Sequence, residues 1–178
     1  MKRKNIKEIR KKISQGFVKY CEQCNKPCCA AADFAVFKWE LERLPLKGIE
    51  LRFYKHRGRG EKRNNNVEYV NIAKGCPFLN SSGCKLDIYT RHLDCICYPV
   101  YPTMKYKRDA GKDIAGMMVL RSCTYAEEIA EDKDQVNLVR VFWTLALENI
   151  SKDDIKAWFG DKRNHWLDKN VIKVLDGK

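Results

Sequence analysis

Long apolar runs are missing from this chain of 178 residues. A membrane-crossing helix needs about 20 consecutive apolar residues, and no stretch approaches that length. The basic start, Met1-Lys2-Arg3-Lys4, is not followed by the apolar segment of a secretory signal, and a cytoplasmic protein is expected because thiols need a reducing compartment to stay free for metal. Also missing are a glycine-rich dinucleotide turn, a P-loop and an H-E-x-x-H helix. Histidine is scarce: His56, His92 and His165 stand far apart, so no Cys–His nucleophile pair is legible. Acidic residues are outnumbered, 23 against 35 basic ones, for a formal charge of +12. That surplus attracts nucleic acid, anionic lipid or acidic proteins; thiolates ionised on a metal would lower it.

Cysteine, by contrast, is abundant, and eight of the nine residues fall in two stretches. The first is Cys21-Glu22-Gln23-Cys24-Asn25-Lys26-Pro27-Cys28-Cys29. The second begins at Cys76-Pro77-Phe78-Leu79, passes through Cys84 and ends at Cys95-Ile96-Cys97-Tyr98-Pro99. A C-x-x-C turn aims two sulfurs at one point and suits tetrahedral zinc or an iron–sulfur cluster. One such pair is half a site, so the distant second stretch must close it. The adjacent Cys28 and Cys29 cannot easily reach one point from a regular element; they serve two metals, or one ligates while the other packs. Disulfides would need an oxidising compartment and leave one cysteine over. Plain buried thiols suit Cys97 or Cys123 singly, but not the C-x2-C-x3-C-C run.

These residues resemble the YkgJ-type CxxCxxCC cysteine-cluster family, described as a zinc- or iron-chelating domain. The family pattern is a C-x2-C-x2-C-C run, a C-P-F-L-like segment and a C-x-I-Y-x2-R-P-x2-C-R-x-Y-P-like segment. Here the corresponding residues are Cys21, Cys24, Cys28 and Cys29, then Cys76 to Leu79, then Cys84, Ile88-Tyr89, Arg91, Cys95 and Tyr98-Pro99. One extra residue precedes Cys28, and another lies between Cys84 and Arg91. His92 replaces the usual proline, which makes it a substitute ligand candidate, and Ile96 replaces the usual arginine. Cys123 matches a downstream cysteine of longer members, whereas Cys97 has no counterpart. The resemblance implies metal ligation by Cys21, Cys24, Cys28, Cys29, Cys76, Cys84, Cys95 and Cys123. Flagellin lysine methylases carry a similar cluster, so enzymatic use is one alternative.

Along the chain, Asn5-x-x-Glu8 predicts a helix start, and Ile6, Ile9, Ile13, Phe17 and Tyr20 follow at helical spacing. This helix either packs on a core or lies on a membrane or nucleic acid; the narrow stripe favours the core. Phe34–Phe37 predicts a short strand, with a short helix to Leu44 stopped by Pro45. Strands are expected around Ile49–Phe53 and Val67–Tyr69, and a hairpin from Tyr98–Tyr106 and Ile114–Leu120 with Pro99 and Pro102 on an edge arm. Thr124-x-x-Glu127 predicts a capping box after Cys123. The strongest helix is expected over about Lys133 to Ile150, a shorter one after Ser151, and a final helix in the tail with Trp166, Val171, Ile172, Val174 and Leu175.

The expected architecture is α+β: one small, irregular, metal-stapled domain over 1–178, with short antiparallel strands and several helices. The cysteine-cluster region covers about residues 17–123, and a mostly helical part about 124–178. The expected function is a metal-binding protein holding an iron–sulfur cluster, 4Fe–4S favoured, or zinc, for a structural, redox or sensing role. The alternatives are an enzyme using the cluster for group transfer or redox chemistry, and a zinc-stabilised nucleic-acid module. A contiguous basic face of Lys11, Arg57, Arg59 and Lys107 would favour the last.

The nucleic-acid reading rests mainly on Arg52, Lys55, Arg57, Arg59, Lys62 and Arg63. Phosphate contacts would make affinity fall with salt, by roughly −0.9 in log–log slope per contact on duplex DNA. Tyr54 is the only aromatic nearby, so bases have little to stack on. Weak, sequence-indifferent binding at low salt, lost near physiological salt, is therefore expected. A titration at two salt concentrations checks this; tight or sequence-selective binding would reverse the ranking.

Overall fold

A computed structural model of the chain describes residues 2–24, 34–47, 49, 52–54, 67–71, 76–80, 83–104, 114–159 and 170–174. These residues form an α+β fold. In chain order its elements are α1 (Lys2–Cys21), β1 (Phe34–Phe37), α2 (Lys38–Leu41), β2 (Arg52–Tyr54), β3 (Val67–Asn71), β4 (Leu79–Asn80) and β5 (Gly83–Cys84). Then follow α3 (Leu93–Cys97), β6 (Val100–Met104), β7 (Ile114–Leu120), α4 (Ala126–Glu131), α5 (Lys133–Leu147), α6 (Lys152–Phe159) and β8 (Val171–Val174).

Helix α5 is the centre of the core. Val139, Phe142, Trp143 and Leu147 recur at helical spacing and are all buried. Against this face lies α1, through Ile13 and Phe17. Its basic residues Lys7, Lys11 and Lys12 remain exposed, so the stripe packs on protein. Close approach of the two helices depends on Gly16. A Cβ there would lie 1.9 Å from Gln135 Oε1, and the same Gln135 amide donates to the Ile13 carbonyl at 2.9 Å. That bond satisfies a buried amide that would otherwise cost about 1–3 kcal/mol. At the far end of α1, Lys19 pairs with Asp132 at 2.7 Å, and Asp132 also caps α5 by accepting from Gln135 N at 3.0 Å.

The strands form three antiparallel sheets: β1-β3-β2, β4-β5 and β6-β7-β8. In the last, Val100 pairs with Val119 and Thr103 with Gly116, with an irregularity between Thr103 and Met104. The proline-bearing β6 is an edge strand, as proline's missing donor requires. Ser151 caps α6 by accepting from Asp154 N at 3.1 Å. Trp158 on α6 is fully buried, stacks on Phe37 with ring centroids 4.5 Å apart, and meets Trp143 edge-on at 6.1 Å.

Four expectations need correction. Residues Val171–Val174 form β8, paired with β7 through Met117↔Val174 and Leu120↔Val171, rather than a helix. A run of β-branched side chains beside an available strand edge outweighs weak helical spacing. Helix α4 starts at Ala126 behind Tyr125, with no side-chain cap, so Thr124 makes no capping box. Helix α1 already runs from Lys2, which places Asn5 inside it. Helix α5 ends at Leu147, short of Ile150. Trp166 and Leu175 lie outside the described residues.

Because Trp158 ties α6 to both β1 and α5, Trp158→Ala is expected to cost about 3–5 kcal/mol. Urea unfolding of the variant and the parent protein measures this loss.

Candidate functional site

The Cys76 segment forms a tight turn. Leu79 N donates to the Cys76 carbonyl at 3.0 Å, and the chain then enters the β4–β5 hairpin, where Leu79 pairs with Cys84. Both thiols are half-buried beside Leu44, Phe78 and Leu86. Burial pushes the Cys76 thiol up; hydrogen bonds from the Phe78 and Leu79 amides oppose that shift, while Cys84 adds to it. Two amides thus favour a negative sulfur while a second thiol stands near. A cation between the sulfurs would turn their mutual opposition into shared attraction. The donor set fits half of a thiolate metal site.

A second group forms where α1 ends. Cys24 N donates to the Cys21 carbonyl at 3.2 Å. The Cys24 sulfur lies 3.8 Å from Thr124 Oγ1, and the Tyr125 hydroxyl donates to the Gln23 carbonyl at 3.1 Å. Tyr20 and Tyr125 pack with centroids 5.9 Å apart. The seating of α1 on α5 therefore delivers Cys24 to the segment that carries Cys123.

The third group is built on α3. His92 is 2 % exposed and caps this helix: its Nδ1 accepts from Cys95 N at 3.3 Å. Burial, helped by the charge of Arg10, pulls the imidazole pKa down to about 3. The ring is therefore neutral at neutral pH. With Nδ1 accepting, the proton sits on Nε2, which lies 2.9 Å from the Cys95 sulfur. His92 is thus a hydrogen-bond donor to an exposed cysteine, and both of its nitrogens are engaged. The sequence allows either a substitute ligand or a neighbour that tunes the site at this position, and the hydrogen bonds of both ring nitrogens suit the latter. Cys97 is wholly buried, and burial pushes its thiol well above the ordinary value, as for an inert core thiol.

Among the described residues, no group of three or more His, Cys, Asp or Glu side chains is placed to hold a metal ion. Cys76 comes together with Cys84, Cys24 with the Cys123 segment and Cys95 with His92, while Cys21 stands exposed at the end of α1. Cys28 and Cys29 lie outside the described residues, as do Lys55, Arg57, Arg59, Lys62, Arg63 and Lys107. Among the described residues no helix is long and apolar enough to cross a membrane.

Sequence reasoning singled out Asp94 beside Cys95 but missed the support that Glu40 and Arg10 give under α3. Glu40 is 4 % exposed and accepts from Leu93 N at 2.7 Å and from Phe37 N at 3.1 Å. Asp94, also buried, accepts from the Tyr101 hydroxyl. Arg10 donates through Nη1 to the Tyr89 carbonyl at 2.8 Å and lies over the Phe142 ring at 5.6 Å.

Burial raises the Glu40 pKa from 4.5 to about 7, against the two amide bonds that lower it. The folded state therefore holds this proton more tightly than the unfolded chain. Its contribution to stability is complete below about pH 4.5 and is lost as pH rises through about 7. Glu40→Gln removes the titration while keeping the shape. The stability difference between parent and variant is expected to shrink as pH rises from about 5 to about 8, read from urea midpoints. Comparison with protein-family models, with curated proteins and with solved structures returned no match for this chain.

Proposed function

We propose that this protein holds a metal centre, an iron–sulfur cluster or zinc, through clustered cysteine thiolates, as the YkgJ-type family that its cysteine pattern resembles is described to do. The observation that carries the reading is the Cys76 turn, which leads into the β4–β5 hairpin and sets the half-buried Cys76 and Cys84 thiols against the same small apolar cluster. Polar, half-buried thiols with amide donors suit ligation, whereas the inert thiol of Cys97 does not. Support also comes from Cys24 beside the Cys123 segment and from His92 donating to Cys95. In this reading Cys21, Cys28 and Cys29 complete the ligand set.

A set of thiolates alone favours a 4Fe–4S cluster and also accommodates zinc. Either centre supplies positive charge between the sulfurs, and zinc in a structural site is worth roughly 10 kcal/mol or more of folding free energy. The role is structural, redox or sensing. The His92 Nε2–H stabilises charge on the Cys95 sulfur, and such bonds tune a cluster's potential. Free thiols of this density need a reducing compartment, which favours the cytoplasm. One observation favours the enzyme as a second reading: an open cleft lined in part by His92 lies beside the helix of Cys95.

The test is metal and sulfide analysis with an absorption spectrum on anaerobically purified protein. Cys24→Ser and Cys84→Ser are each expected to lose metal or fold, while Cys97→Ala retains full stoichiometry. Chelation should lower the melting temperature markedly. Full metal content and stability in both serine variants would refute the ligand assignment, and an unchanged melting curve after complete metal removal would make the site peripheral.

A further inference from the structure

A small cleft opens between α1, α2 and the turn that leads into α3. Its volume of about 20 Å³ is room for one water-sized particle. Arg10, Arg43 and Arg91 line it, with Glu40 as the single carboxylate of the lining. Among the described residues none of the three arginines is in an ion pair. Arg91 spends Nε on the Leu86 carbonyl at 3.2 Å, and Arg10 spends Nη1 on the Tyr89 carbonyl at 2.8 Å. The buried Nε of Arg10 has no hydrogen-bond partner. Arg43 is exposed and lies over the Trp39 ring at 5.2 Å.

Charge in this lining is one-sided. Burial lowers the proton affinity of Arg10, Glu40 works against that, and the charge of Arg43 lowers it further. Glu40 offsets little of the positive charge: both its oxygens accept from backbone amides, and with a pKa of about 7 it is only partly ionised at neutral pH. The groups that face Glu40 are Arg10 of α1, the Asp94 carboxylate and Cys97 thiol of α3, and the neutral His92 that caps α3; Arg43 and Arg91 share its cleft. A cleft lined mainly by one sign of charge concentrates counter-ions. A water molecule would fill the volume but leave the charge unanswered. Phosphate and other polyatomic anions exceed the space of a single water. A halide ion is close to water in size, carries a full negative charge and accepts from several donors with no preferred direction.

We propose that this cleft binds one chloride ion, held by N–H groups of Arg43 and Arg91 and by the positive charge of Arg10. The ion sits beside the Glu40 carboxylate, and like charges oppose each other. Chloride therefore binds more tightly when Glu40 carries its proton, and the two are taken up together as pH falls through about 7. The site is separate from the proposed metal ligands and stands whether or not a metal is bound.

The test is the chlorine NMR line width of the protein as purified, titrated with chloride at constant ionic strength against gluconate. Saturable broadening is expected, displaced by bromide and not by phosphate. Arg43→Gln should weaken chloride about tenfold or more, the usual loss of a charge-assisted hydrogen bond. The Arg43 side chain serves no backbone group among the described residues, so its variant tests the cleft without disturbing the fold. In the parent the affinity should rise from about pH 8 to about pH 6, and in Glu40→Gln it should stay level. No saturable broadening, equal affinity in Arg43→Gln and the parent, or displacement by phosphate as effective as by bromide would overturn the site. A parent affinity that does not change over that pH range would overturn the link to Glu40.

Discussion

Glu40 accepts hydrogen bonds from Phe37 N, three residues before it, and from Leu93 N, 53 residues after it. Through these bonds one carboxylate fixes the start of α2 and the first turn of α3 to the same point. Helix α3 has only five residues, Leu93–Cys97, too few to be stable alone. Its position is set from outside, by Glu40 at one end and by His92 over the Cys95 amide. The same carboxylate also lines the open cleft that His92 borders. A buried acid at this junction loses hydration, and the amides return part of that loss.

The arrangement explains why His92 stays neutral. Desolvation and the nearby Arg10 guanidinium both oppose a second positive charge. A neutral ring with one nitrogen accepting from an amide must carry its proton on the other, and that nitrogen faces the sulfur of Cys95. Backbone geometry thus selects the tautomer, and the tautomer makes a thiol neighbour into a hydrogen-bonded one. Arg10 reaches this region because Gly16 allows α1 to lie close against α5.

Local order was largely legible in the sequence. The spacing of Val139, Phe142, Trp143 and Leu147 identifies α5 because burial of that stripe is what stabilises the helix. The β6–β7 hairpin follows from alternating apolar residues and the placement of prolines. What was not legible depends on partners distant in the chain. Nothing in Lys38-Trp39-Glu40-Leu41 announces that Leu93 supplies an amide to Glu40. Val171–Val174 becomes a strand only because β7 presents an edge to it, a tertiary effect that local propensity does not encode. The cysteine spacing showed which thiols are candidates for ligation, while the role of His92 required its hydrogen-bond partners in space.

The pairing of β8 with β7 also governs the order in which the molecule can be completed. Strand β7 carries the buried Met117, Met118 and Val119 and has neighbours on both sides, β6 from just before it and β8 from about fifty residues later. During synthesis the β6–β7 hairpin can close at once, but its second flank stays open while α4, α5 and α6 emerge. For that interval the growing chain exposes a strand edge of the kind that pairs with other molecules. Helices α5 and α6 meanwhile have α1 and β1 to pack against, since these are already made. The central strand is therefore the last part of the core to be enclosed, and a chain truncated before Val171 would keep that edge open permanently.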